Sequence, residues 1–177
     1  MPAMRKFPAI SSIAVLILAA GALPVAAAPV HYASQTSAWQ GGVVARGDGG
    51  ARYCAIEARF DNGVTLSVAE AGADAITLVM KVKGIKDAKA GDTWPVTIMA
   101  DNDAKPVTAQ AIETSASGTI IAMPYGNESD FAAHLATLSV IAKRDRADFR
   151  LNALPTALAA LKACVQHLSD DPTWPTQ

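Results

Sequence analysis

This chain contains two cysteines, Cys54 and Cys164, and they stand 110 positions apart. A disulfide holds its Cα atoms within about 4.4–6.8 Å of each other. If the two pair, the fold must press an element near the start of the mature chain against one near its end. Only one intramolecular pairing exists. It closes a loop of about 110 residues, which on loop-closure entropy stabilises by roughly 4–5 kcal/mol, less any strain. The alternative is two separate buried thiols. A metal site is disfavoured, because neither cysteine has a CxxC partner or a nearby histidine.

Disulfides persist in oxidising compartments, and the N terminus reads as a route to one. Arg5 and Lys6 open the chain, residues 13–20 form an uncharged apolar run, and residues 23–28 are mostly small. This is the pattern of an export signal. The apolar run falls short of the roughly 20 residues a bilayer span needs. Cleavage after Ala27 fits Val25-Ala-Ala27, whereas cleavage after Ala28 would leave Pro29 at the first mature position. No cysteine lies near that site to carry a lipid. The expectation is a signal peptide over residues 1–27 and one disulfide-stapled domain over 28–177, delivered to the periplasm or secreted.

A mature chain of about 150 residues is an ordinary single-domain size, able to bury roughly 70% of its unfolded surface. Of the 15 basic residues, Arg5 and Lys6 belong to the leader, so 13 remain against 16 acidic ones. A net charge of this sign argues against nucleic acid, which requires a basic stripe. No second long apolar segment follows, so the mature chain has no expected membrane span.

Residues 51–60 show the two-residue period of a half-buried strand, with Cys54, Ile56, Ala58 and Phe60 on one side. Asp61-Asn62-Gly63 is a strong hairpin signal. Alternation resumes at Val64, Leu66 and Val68, turns over residues 70–74, and resumes again at Ile76, Leu78, Met80 and Val82. These three strands read as an antiparallel meander. A weaker strand over 37–46 precedes them, interrupted by Gly41-Gly42, and residues 28–36 read as an irregular terminus. Further strands are expected over 93–100, 107–113 and 119–123, the last ended by Pro124, with a turn at 101–106. Ser129 is placed to cap a short helix running through Phe131, Leu135 and Leu138. A hairpin over 139–152 follows. Leu154, Leu158, Leu161, Val165 and Leu168 then form the apolar stripe of a closing helix over 155–168. The expected fold is α+β: a curved, mainly antiparallel sheet of about seven or eight short strands, closed by a C-terminal helix.

No catalytic constellation emerges. His31, His134 and His167 are scattered, without an HxxxH pair. There is no GxSxG elbow and no Ser-x-x-Lys. Asp101-Asn102-Asp103 opens like a calcium loop, but Lys105 and Pro106 stand where an oxygen ligand and a glycine belong. No cofactor and no metal are expected. Three positions are candidates for binding a partner. Trp39 suits an exposed contact surface as readily as a core edge, whereas Trp94 suits the core. Arg46 and Asp48 flank Gly47 in an Arg-Gly-Asp adhesion tripeptide, which an ordinary glycine-rich turn would also use.

Cys54, the hairpin Asp61-x-Gly63-x-x-Leu66, the strand from Trp94 to Ile98 running into Asp101, Phe149-x-Leu151, and Ala157-Leu158-x-x-Leu161-x-x-Cys164 form a pattern. It is similar to the invasion-associated locus B family of small exported alphaproteobacterial proteins. The resemblance implies a periplasmic or secreted β-rich domain with no established enzymatic activity, and it transfers no catalytic residue. The functional expectation is an exported, non-enzymatic protein that binds a macromolecular envelope or host partner. The alternatives are an inhibitor of a lysozyme- or protease-type hydrolase and, third, a hydrolase with an unrecognised site.

Overall fold

A computed structural model describes residues 30–45, 52–70, 75–82, 85, 87–132, 135–142 and 145–173. Residues 1–27, where a signal peptide is expected, the segment carrying Arg46 and Asp48, and His134 lie outside these residues. In chain order the elements begin with β1 (Ala33–Ser34), β2 (Gln40–Ala45), β3 (Arg52–Arg59), β4 (Thr65–Glu70) and β5 (Ala75–Val82). Next come β6 (Thr93–Ala100), β7 (Asp103–Ser115), β8 (Gly118–Asn127) and the short α1 (Glu128–Ala132). The chain finishes with β9 (Thr137–Ala142), β10 (Asp145–Arg150) and α2 (Leu154–Asp170).

The strands form one sheet in the order β1-β10-β9-β6-β7-β8-β5-β4-β3-β2. The meander β3 to β5 forms as the alternation predicts, Asn62-Gly63 makes its first turn with Gly63 at φ 78°, and β2 adds to it antiparallel to β3. The chain then leaves β5, builds β6 and β7 further out, and returns with β8 to pair β5. Hairpin β9–β10 attaches to the far side of β6. Only β1 runs parallel to its neighbour, β10.

Residues 33–36 do more than extend that edge. Gln35 bridges Phe60, Thr36 N donates to Arg59 O at 2.8 Å, and Asp61 N donates to Ser34 O at 3.0 Å. The segment read as an irregular terminus therefore touches both the β10 edge and the far end of β3, and the sheet curls into a half-barrel. Phe60 and Phe149, fully or nearly buried, meet edge to face across this seam with ring centroids 4.9 Å apart.

Inward-facing residues follow the period of two: Cys54, Ile56, Ala58 on β3, Leu66 and Val68 on β4, Ile76, Leu78 and Met80 on β5. Val96, Ile98, Leu138, Val140 and Phe149 continue the row. Glu70, expected in a turn, is the last residue of β4 and is 3% exposed on this inner face, opposite Cys54 in the ladder. Trp94 is half-buried against the core rather than inside it.

The described residues form ten strands rather than seven or eight, and the differences have local causes. β7 begins at Asp103, so the 101–106 turn shrinks to Asp101 and Asn102, with Asp101 at φ 50°. Pro106 fits inside the strand because β8 pairs with β7 only from Gln110 onward, leaving one edge without a ladder. Pro124 lies beyond the same point, and β8 runs past it to Asn127. The helix expected through Leu138 stops at Ala132, and Ser129 is its second residue, not its cap. Leu138 belongs to β9, where ladders to β6 and β10 outweigh a local three-and-four spacing.

Helix α2 forms as its stripe predicts. Ala153, left-handed at φ 54°, turns the chain, and Pro155 occupies the first turn, where a missing N–H costs nothing. Leu154, Ala157, Leu158 and Leu161 are buried against β2, β3 and β4. Cys164, half-buried, is bonded to the fully buried Cys54 with Cα atoms 6.0 Å apart.

Candidate functional site

The disulfide and Trp39, proposed from sequence on separate grounds, belong to one neighbourhood. Trp39 precedes β2 and is half-buried against the core. Its indole N–H donates to Asn152 O at 2.8 Å, and Asn152 N donates back to Gln35 Oε1 at 3.0 Å. These two bonds fasten the approach to β2 onto the approach to α2, so the indole is held in one place.

Strand β2 is an outermost strand: it pairs with β3, and no described residue pairs with its other edge. Gly41 stands opposite Ile56, and Val43 opposite Cys54, on the side of the sheet that α2 covers. A Cβ on Gly41 would lie 2.0 Å from Ala55 O and 2.6 Å from Ile56 Cα, so only glycine fits. Facing it, α2 presents the small side chains of Ala157 and Ala160 beside Leu161 and Cys164. The result is a cavity of about 300 Å³ walled by Trp39, residues 40–42, Ala55, Ile56 and that helix face. No ionisable side chain among the described residues lines it. The polar side chains among its lining residues are those of Gln40 and the Trp39 indole.

Polar clusters elsewhere are tied into the frame. One oxygen of the Asp101 carboxylate accepts from Ala136 N at 3.0 Å, Thr137 N at 2.8 Å and Thr137 Oγ1 at 3.1 Å, pinning the β6–β7 turn to β9. That engagement accounts for the calcium-like opening at Asp101. Ser139, buried on β9, donates its hydroxyl to Asp148, which also receives Arg146 Nε at 2.7 Å. Lys162 of α2 reaches Glu128 of α1 at 3.2 Å. Past α2, the hydroxyl and amide of Thr173, with a weaker contribution from Arg52, hold the exposed Asp171 carboxyl below its ordinary value.

Among the described residues no three His, Cys, Asp or Glu side chains are grouped to hold a metal ion. No helix among them is long and apolar enough to cross a membrane. Arg46 and Asp48 lie outside the described residues. Sequence reasoning missed Gly41, Ala157 and Ala160. The available signal was a glycine pair inside a strand, which marks close backbone approach, together with small residues three apart on a helix. Comparison of the chain with models of known protein families, with curated proteins and with solved structures found no match.

Proposed function

We propose that this chain is an exported, non-enzymatic protein of the periplasm or cell exterior that holds a macromolecular partner through the β2 side of its sheet. The observation that carries the reading is the pocket between Trp39, β2 and α2. It is preorganised by the indole–Asn152 bond and by a covalent link in its wall, and no described ionisable group lines it. Acid–base or nucleophilic chemistry requires such a group within hydrogen-bond reach of the reacting atom. Holding a partner does not. A stapled scaffold also lowers the ordering cost of association.

Export is supported by the charged start, apolar run and small residues of 1–27, and by a disulfide suited to an oxidising compartment. The resemblance to the invasion-associated locus B family points the same way. The test is affinity capture from the envelope fraction under non-reducing conditions, comparing the natural chain with Trp39→Ala. A discrete partner retained by the first and lost by the second is the expected result. If that partner is a lysozyme or protease whose activity falls on binding, the chain is an inhibitor working through this surface. Turnover of a generic ester or peptide, with nothing retained, overturns the reading.

A further inference from the structure

We propose that the partner enters as an extended, uncharged polypeptide segment, which adds as a further strand to the free edge of β2 and sets one apolar side chain into the pocket beside it. This rests on the partner-binding reading and gives that site its chemistry.

The two ends of the sheet are unequal. At one end β1 covers β10 and bonds to the end of β3. At the other, β2 presents an edge that no described residue pairs. Folded proteins usually block such an edge with charge, proline or a bulge. β2 reads Gln-Gly-Gly-Val-Val-Ala and carries no charge or proline, and its ladder to β3 is unbroken from Gln40 to Ala45. Main-chain pairing along such an edge supplies affinity, while pockets that receive alternate side chains supply selectivity.

The pocket supplies the second half of that arrangement. It lies against Gly41 and Gly42, where β2 carries no side chain, and Ala157 and Ala160 of α2 wall it from the helix side. About 300 Å³ is the lower end of the range for ligand sites, room enough for one large apolar side chain. Charge decides the rest. With a neutral strand and no described ionisable group in the wall, a charged side chain entering here would lose water and gain no counter-ion. The segment selected is therefore neutral over the contact, with an aliphatic or aromatic residue at the central inward position.

The probe is an acetylated, amidated heptapeptide, Thr-Val-Thr-Leu-Thr-Val-Thr, titrated into the oxidised, processed chain labelled with ¹⁵N. Amide shifts are expected to concentrate at residues 40–45 and at the Trp39 indole, with slowed hydrogen exchange along β2. Replacing the central Leu of the peptide with Asp should weaken binding at least tenfold. Two variants of the protein should do the same. Ala160→Leu, at an exposed position in the wall, fills the pocket, and Val44→Lys charges the edge. The peptide substitution keeps the test decisive if either variant melts early. Absent or scattered shifts, or equal binding of the Asp peptide, overturn the proposal. So does self-association through β2 that the peptide cannot displace, which would make a second copy the occupant. Monomeric dodecyl maltoside competing better than the peptide overturns it in favour of an acyl chain. An envelope partner captured equally by the natural chain and both variants sinks this inference and leaves the proposed function standing. Peptide binding with no envelope partner does the reverse.

Discussion

Gly41 has no room for even one added carbon. A methyl group there meets the backbone of β3 at 2.0 Å, and backbone cannot swing aside as a side chain can. Gly41→Ala should therefore destabilise by about 1–3 kcal/mol, the usual cost of forcing atoms into filled space, read from the urea midpoint. Cys54→Ser should cost more. Releasing a loop of 110 residues removes roughly 4–5 kcal/mol on loop-closure entropy. The melting temperature in oxidising buffer should then fall by roughly 10–20 °C for a domain of this size. An unchanged melting temperature would contradict the staple. These two residues differed greatly in how well they could be read beforehand. Two cysteines allow a single pairing, so Cys54–Cys164 was the expected bridge, with separate thiols the alternative the structure rules out. Gly41 read only as a flaw in a weak strand, because what forbids a side chain there is a backbone atom of another strand. Trp39 stood between core and surface in the sequence, and it is half-buried at a pocket rim.

At the scale of elements, α2 separates burial from charge. Leu161 is 1% exposed beneath the helix, while Lys162 beside it points outward to Glu128. Leu161→Ala should cost about 2–5 kcal/mol. Lys162→Ala, breaking an ion pair whose lysine is exposed and whose Glu128 is half-buried, should cost about 1 kcal/mol, less than Leu161→Ala. Denaturant titration of both variants checks the contrast, and a larger loss from Lys162 would mean that the helix is held by something other than its apolar stripe. That stripe was legible because a 3.6-residue period needs no distant partner. The meander β3–β4–β5 was legible for the same reason, with Asn62-Gly63 marking its turn. Elements that depend on remote neighbours were not. Pro95, Pro106 and Pro124 each sit in a strand where one flanking ladder is missing. The two later prolines read from sequence as turn and terminator, since nothing local tells a free edge from a loop. The stretch through Leu135 and Leu138 has helical spacing, yet two neighbouring strands claim its second half.

For the whole molecule, the least foreseeable feature is the seam made by residues 33–36. Two β1 residues and an isolated bridge carry no sequence signature, and their partners lie far along the chain. In a chain that begins at residue 37, amide exchange should rise at 145–150 and 59–63 while β4 and β5 stay protected. Hydrogen exchange by mass spectrometry reads this directly, and uniform loosening of all strands would show that the seam is not a local closure. The seam and the staple share one property with a consequence in time. Both join the beginning of the chain to its final stretch, and contacts so far apart in sequence form late. A polypeptide delivered amino end first thus carries an unclosed sheet and a reduced thiol until α2 has arrived. How long the sheet stays open is set by how soon that last helix follows the strands it must cover.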